Sequence, residues 1–253
     1  LKDEDYINKH YVIMATKKGQ VKKTSLEKYS RPRVNGINAI TIKENDELLV
    51  AKLTNGESQI MMALKSGKAI RFEEAKTRPM GRSASGVRGI RLQHDKDEVV
   101  GMVSVNDMES NILVVSSNGY GKRSKLEDYR VTNRGGKGVK TISITEKTGN
   151  LVSIKNVNDS NGLMIINKSG IAIRMAVKDL RVMGRATQGV KLINIKEGDS
   201  IAAVAKVIHE DQDENQEINE DAENNLSSEE VNDVPLNNDV KFEITNEEEE
   251  TED

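Results

Sequence analysis

The chain has 253 residues and a formal net charge of −3, and it contains no Cys, which excludes disulfides and thiolate metal sites. Its three His residues, His10, His94 and His209, lie far apart without helical ligand spacing, so no His-based metal site is expected. No run of about 18 apolar residues is present, and the opening LKDEDYINKH lacks the apolar centre of a secretory signal, so a soluble, cytoplasmic protein without a membrane span is expected.

The small net charge hides a division. Residues 210–253 carry 19 Asp and Glu against the single cation Lys241, whereas residues 1–209 carry 37 Lys and Arg against 22 Asp and Glu. This asymmetry predicts a basic body suited to a polyanion, followed by an acidic tail. Charge alone is equally compatible with a soluble body and a solubilising tail.

Residues 1–10 are polar and read as an arm or the remnant of a preceding unit; Leu rather than Met at position 1 predicts a start inside a longer protein. From Tyr11 a plan recurs. Turn glycines fall at Gly19, Gly67, Gly119 and Gly170, spaced 48, 52 and 51 apart. A second set falls at Gly36, Gly86, Gly138 and Gly189, spaced 50, 52 and 51. Two independent landmarks with one period near fifty residues indicate blades rather than helical hairpins.

The repeats run over about 11–58, 59–110, 111–161 and 162–208, each with four expected strands. In the first, YVIMAT and VKKTS form a hairpin. SLEKYSRPRVNG follows as a loop or helical turn, then INAITI and ELLVAKL as strands. The later repeats open with IMMAL and AIRF, NILVVS and GKRSK, GLMIIN and AIRMA. They close with GIRLQ and VVGMVSV, VKTISI and LVSIKNV, VKLINI and SIAAVAKV. Beyond residue 208 the apolar periodicity stops, and the acidic stretch 209–253 is expected to be disordered because it lacks apolar surface to offset ordering entropy.

Each opening hairpin carries cations: Lys22 and Lys23, Arg71, Lys122 and Arg123, Arg174. The loops carry a second set: Arg31 and Arg33; Arg78, Arg82 and Arg88; Arg130, Arg134 and Lys137; Arg181, Arg185 and Lys191. In one blade such residues read as a solvated face. Recurrence at equivalent positions predicts a positive rim suited to a duplex backbone. Gly135, Gly136 and Gly138 surround Lys137 and would let backbone N–H groups approach phosphate oxygens; a plain blade-corner turn is the other reading. No aromatic residues interleave with the cations, which argues against base stacking. No acid–base constellation suggests an enzyme. Asp46, Asp97 and Asp199 are expected to cap turns, and the Met residues to fill core.

The stretches GQVKKTSLEKY, SGVRGIRL, NGYGKRSKLEDY, RGGKG and MGRATQGVKLI resemble the C-terminal domain found in the A chains of bacterial DNA gyrase, over residues 11 to about 208. The resemblance implies an all-β pinwheel of four-stranded blades, usually six, of which four are visible here as the last four. It implies a basic rim that wraps double-stranded DNA, in an A2B2 complex of a gyrase A homodimer with gyrase B. It places ATP and Mg2+ use, and the DNA-cleaving tyrosine, elsewhere in the whole enzyme, so this stretch is expected to need no cofactor and to be inactive alone. The family's box QRRGGKG has its nearest match at Thr132–Gly138, which keeps Arg134, Gly135, Gly136, Lys137 and Gly138 but lacks the Gln and first Arg. The acidic tail is expected to compete with DNA for the rim. Two other readings stand beside this one: the homologous domain of topoisomerase IV, and a propeller-like interaction scaffold that binds no DNA.

Overall fold

The computed structural model describes residues 3–208; the expected disordered tail lies outside the described residues. The arm is not wholly irregular. A short helix, α1 (Glu4–Lys9), begins at the N-cap Asp3, whose carboxylate accepts the Tyr6 amide, and it buries Ile7.

Fifteen strands follow: β1 (Tyr11–Thr16), β2 (Gln20–Ser25), β3 (Leu48–Thr54), β4 (Gln59–Leu64), β5 (Lys68–Glu73), β6 (Val87–Arg88), β7 (Val99–Val105), β8 (Asn111–Ser116), β9 (Tyr120–Lys125), β10 (Val139–Lys140), β11 (Leu151–Val157), β12 (Asn161–Asn167), β13 (Ala172–Ala176), β14 (Val190–Lys191) and β15 (Ile201–Ile208). They form four antiparallel sheets, one per repeat, as the all-β blade reading predicts. In each, a hairpin (β1–β2, β4–β5, β8–β9, β12–β13) turns on its positive-φ glycine, and the long last strand of the repeat pairs with the outer side of the hairpin's first strand. A 3-10 turn follows each hairpin, at Leu26–Tyr29, Glu74–Lys76, Leu126–Asp128 and Val177–Asp179.

The fourth strand is where the expectation needs correction. It does not come from the same repeat. The sheet orders are β3-β1-β2-β6, β10-β5-β4-β7, β11-β8-β9-β14 and β13-β12-β15, so each of the first three sheets takes its fourth strand from the next repeat. These strands are two residues long: Val87 lies opposite Val21, Val139 opposite Ala69 and Val190 opposite Gly121. INAITI, expected as a strand, is irregular over 37–42, and the last sheet has three strands. A strand needs a neighbouring edge to complete its hydrogen bonds, and among the described residues no sheet precedes the first.

Glycine makes the crossing possible. Gly86, Gly138 and Gly189 hold φ of 88°, 72° and 81°. A Cβ there would lie only 2.6, 2.6 and 2.5 Å from the carbonyl oxygens of Val21, Ala69 and Gly121 in the preceding blade. Glycine is therefore required twice over, by the backbone angle and by the approach of one chain segment to another.

The apolar cores lie between blades rather than within them. Ile13 and Val21 pack with Met62, Phe72 and Ile90; Met61 and Val105 pack with Ile112, Val114 and Tyr129; Leu113 and Val115 pack with Leu163, Ile165 and Val177. The alternating side chains of β4 and β8 thus serve two interfaces each, which is why IMMAL and LVV read as continuous apolar runs rather than alternating ones. Consecutive long strands β3, β7, β11 and β15 touch from blade to blade. They mark the axial edge of each sheet, and the short strands β6, β10 and β14 mark the perimeter. Among the described residues no helix is long and apolar enough to cross a membrane.

Gly138→Ala should therefore lose about 3 kcal/mol of unfolding free energy, combining left-handed strain of about 1–2 kcal/mol with the carbonyl clash. Gly36→Ala, with φ 75° but no heavy atom within 4 Å, should lose only the strain. Urea unfolding of the two variants checks the difference, and equal losses would contradict the crossing geometry.

Candidate functional site

The cations divide by structure into two populations. Lys22, Lys23, Arg71, Lys122 and Arg123, expected on the rim, are buried. Each reaches from the second strand of its blade into the following repeat. Lys23 pairs with the buried Glu74 at 3.2 Å, and Glu74 also accepts a 2.8 Å hydrogen bond from Thr54. Arg71 donates to the carbonyls of Leu126 and Tyr129 at 2.8 and 2.9 Å and to Gln59 at 2.6 Å. Arg123 donates to the Leu180 carbonyl at 2.6 Å and pairs with Asp159. Lys22 donates to the carbonyls of Ala39 and Arg82, and Lys122 to that of Gly184. All five are clamps: four satisfy carbonyls of the 3-10 turns and loops, Lys23 pairs with the Glu74 carboxylate, and their side chains are buried within the protein. Burial pushes the Lys22 ammonium down from its ordinary value, with the charge of Arg82 adding to the effect. It pushes Lys122 down to about 8. Arg174, the counterpart in the last blade, is exposed.

The loop cations behave differently. Arg31, Arg33, Arg78, Arg88, Arg130, Lys137, Arg181 and Lys191 are exposed, and Arg82, Arg134 and Arg185 are half-buried. Two of the half-buried set are staples. Arg134 donates to the carbonyls of Lys76 and Arg88 at 3.0 and 3.1 Å, and Arg185 to that of Lys140 at 2.9 Å. Five of the exposed ones, with the exposed Lys140, form two rows along the perimeter. Arg78, Arg130 and Arg181 stand where each loop passes the preceding blade, next to the bridges Lys23–Pro79, Arg71–Val131 and Arg123–Val182. Arg88, Lys140 and Lys191 end the short perimeter strands. Lys140 was missed by the sequence reading, although GVK at 138–140 matches GVR at 86–88 and GVK at 189–191. Among the described residues, none of these loop cations is in an ion pair.

The RGGKG loop combines both roles. The Gly135 amide donates to the Gly89 carbonyl at 2.6 Å, so it is committed to the preceding loop rather than aimed at solvent. Gly136 accepts from the Arg91 amide at 2.9 Å, and Gly138 is the crossing glycine described above. Lys137 stays exposed, and with Arg130 and Asn133 it borders a cavity of about 180 Å³ above Ile70 and Arg71.

Three of the hairpin turns are met by acids from the loop before the last strand of the blade. Asp46 and Asp97 accept the turn amides of Lys18 and Ser66, at 2.8 and 3.0 Å, as expected of turn caps. Asp199 accepts from Ser169 at 2.8 Å, and that hydrogen bond holds its carboxyl below the usual range. Glu47 and Glu98 pair there with Lys17 and Lys65.

The family model described as "DNA gyrase C-terminal domain, beta-propeller" matches residues 10–55, 59–106, 110–158 and 163–208 of this chain. The chain is 42% identical over 212 residues to the DNA gyrase A protein of Chlamydia pneumoniae, covering 83% of this chain and 25% of that protein. It is 41% identical over 252 residues to the DNA gyrase A protein of Staphylococcus aureus, covering 96% and 28%. It thus spans little more than a quarter of these relatives. In fold it is similar to a C-terminal domain of DNA topoisomerase IV (TM-score 0.77, 23% identity, 87% of this chain and 69% of that one). It is also similar to a DNA gyrase A C-terminal domain (TM-score 0.72, 23% identity, 81% and 68%).

The Lys122 clamp sets a pH dependence. Its folded-state value of about 8 lies below the ordinary 10.5, so between these values the unfolded chain holds the proton that the folded one has released. Stability contributed at this site therefore rises with pH across that window, where the cost of burying the charge is relieved. Urea unfolding of the wild type and Lys122→Met from pH ~7.5 to ~10.5 should show the difference moving in favour of the wild type; a pH-independent difference would refute it.

Proposed function

The chain belongs to the DNA gyrase C-terminal domain family, and from that premise we propose that it binds and bends duplex DNA along its perimeter, as a non-catalytic domain of a gyrase A protein. The observation that carries this reading is the row Arg88, Lys140 and Lys191: one exposed cation at the perimeter end of each swapped strand, without an ion pair among the described residues, repeated blade after blade. Arg78, Arg130 and Arg181 run beside it, and Lys137 adds to it at the RGGKG loop. Equivalent positions in successive blades trace a curve, and a duplex following that curve is bent while its phosphates meet the cations. Contacts of this kind go to the backbone and carry little base preference. The guanidinium and ammonium groups of these cations offer N–H donors that suit phosphate oxygens.

In this reading the whole enzyme uses the bent segment for ATP-dependent negative supercoiling, in a complex of two gyrase A and two gyrase B chains, in the cytoplasm at the nucleoid. The supercoiling role rests on the relatives, which are gyrase A proteins at 41–42% identity. The likeness to the topoisomerase IV domain, at 23% identity, speaks only to fold.

The test is the salt dependence of binding to a duplex of ~100 base pairs. Affinity should fall steeply with salt, with a slope of about 0.9 per neutralised phosphate. Arg88→Ala/Lys140→Ala/Lys191→Ala should flatten that slope by about 3 units and weaken binding uniformly across sequences. Lys122→Met, which removes a buried clamp, should leave the slope unchanged. Equal slopes in the wild type and the triple variant would remove the perimeter row from the interface.

A further inference from the structure

Three of the buried clamps occupy one position in successive blades. Lys23, Arg71 and Arg123 lie opposite Ile13, Met61 and Leu113 across their hairpins. A buried cation is unfavourable unless an anion or a full set of acceptors meets it. Two of the three meet a carboxylate: Lys23 pairs with Glu74, and Arg123 with Asp159. Arg71 does not, for among the described residues it has no ion pair. Its Nε and Nη1 donate to Gln59 and to the carbonyls of Leu126 and Tyr129, but its Nη2 donates to the thioether sulfur of Met108 at 3.5 Å. A thioether is a weak acceptor, so the clamp of the second blade is the least complete of the three.

Met108 departs from the core-filling role expected of methionine in this chain. It lies in the loop 106–110 between β7 and β8, and Asp159 lies in the corresponding loop 158–160 between β11 and β12. The two side chains meet the same clamp position in successive blades, one with a sulfur and the other with a carboxylate oxygen. The position therefore accommodates an oxygen acceptor. Of the nine Met residues, Met108 alone is exposed, at 51%; the others are buried or half-buried. A thioether on so exposed a side chain is open to small oxidants, which convert it to a sulfoxide.

We propose that Met108 is a site of reversible oxidation by hydrogen peroxide, and that its sulfoxide oxygen becomes the acceptor for Arg71 Nη2. A sulfur lone pair attacks one peroxide oxygen, and the O–O bond breaks as the S–O bond forms. The departing hydroxide takes the proton left on the transferred oxygen and leaves as water. The sulfur gives up two electrons and the peroxide receives them. Oxygen adds to the lone pair that Nη2 does not engage, and rotation about the flexible Met torsions brings it to the guanidinium. The weak N–H···S contact is replaced by a charge-assisted hydrogen bond to a polarised oxygen, as the Asp159 carboxylate already supplies to Arg123. Arg71 holds the third repeat on the second blade, through the turn carbonyls and through its own carbonyl, which accepts the Thr132 amide at 2.9 Å. Oxidation thus tightens the joint that leads into the RGGKG loop.

The chain has no Cys, so mild hydrogen peroxide acts on methionine without competition from thiols. Peptide mass mapping should find the first added oxygen on Met108, ahead of every half-buried methionine. Urea unfolding of the singly oxidised chain should show the folded-to-unfolded ratio raised about fivefold over the untreated chain, the difference between a weak and a charge-assisted hydrogen bond. Amide exchange at Tyr129 and Thr132 should slow with it, and treatment with a methionine sulfoxide reductase should reverse both changes. Met108→Leu keeps the apolar bulk and cannot be oxidised, so the same peroxide treatment should give it no rise. Met108→Gln, whose amide oxygen is a comparable acceptor, should be more stable than Met108→Leu with no oxidant present. A first oxygen on another methionine would overturn the choice of site. Unchanged or lower stability of the chain oxidised at Met108, or an equal rise in Met108→Leu, would overturn the completed clamp.

Discussion

Everything in this fold depends on one crossing: a glycine in left-handed conformation carries each repeat across to the perimeter of the repeat before it. Gly86, Gly138 and Gly189 sit against backbone carbonyls where any Cβ would collide. From that point the chain donates a two-residue strand, lays an isoleucine over the preceding turn and hands its 3-10 turn to the preceding blade's Lys or Arg. The cores follow the same logic, because they form between hairpins and not within them. A single repeat thus has neither a complete sheet nor a core of its own, and stability resides in nearest-neighbour interfaces. The crossing also covers the perimeter edge of the first three hairpins, where an uncovered strand would be open to pairing with other chains.

The buried clamps show that cation type and cation role are separate matters. Lys22 and Lys122 occupy a position that Ile70 fills in the second blade, and all three are buried. That position is interior whatever its occupant. Lysine is accommodated there because its ammonium reaches loop carbonyls that would otherwise lack a donor. The neighbouring position prefers Arg, at Arg71 and Arg123, because a guanidinium offers several N–H donors to more than one carbonyl of a tight turn. Where Lys23 replaces Arg, a carboxylate at Glu74 completes the clamp instead.

Some of this was legible in the sequence. The glycine period predicted the number of blades and the place of every hairpin, because positive φ is a local demand that only a few residues meet. Pairing partners were not legible. INAITI and VKTISI share an apolar pattern, yet only the second contains a strand, because among the described residues only it has a sheet edge beside it. The inside or outside position of the cations was hidden for a related reason. Lys22, Lys23 and Thr24 are buried in succession, since the hairpin packs on one face while the next repeat's loop covers the other, and strand alternation then carries no signal. The RGGKG glycines carried a double meaning that sequence cannot separate: close approach to a ligand and close approach to the chain itself make the same demand. The structure assigns Gly135 and Gly138 to the second.

Lys140 and Lys68 lie directly opposite each other across the β10–β5 pair, an arrangement that costs stability when nothing neutralises it. Lys68 turns to Gln93 at 2.5 Å rather than to an acid. Five acids of the blades sit at the hairpin turns, where Glu47 and Glu98 pair with lysines, Asp46 and Asp97 accept turn amides, and Asp199 accepts from the Ser169 hydroxyl. Among the described residues the loop cations have no ion pair, while Lys17 and Lys65 at the turns do. Such a distribution concentrates potential along one edge of the array. It is a poor solution for an isolated domain and a good one for a surface whose missing counter-charge arrives as a polyanion, since the repulsion between Lys68 and Lys140 then becomes part of the attraction for the ligand.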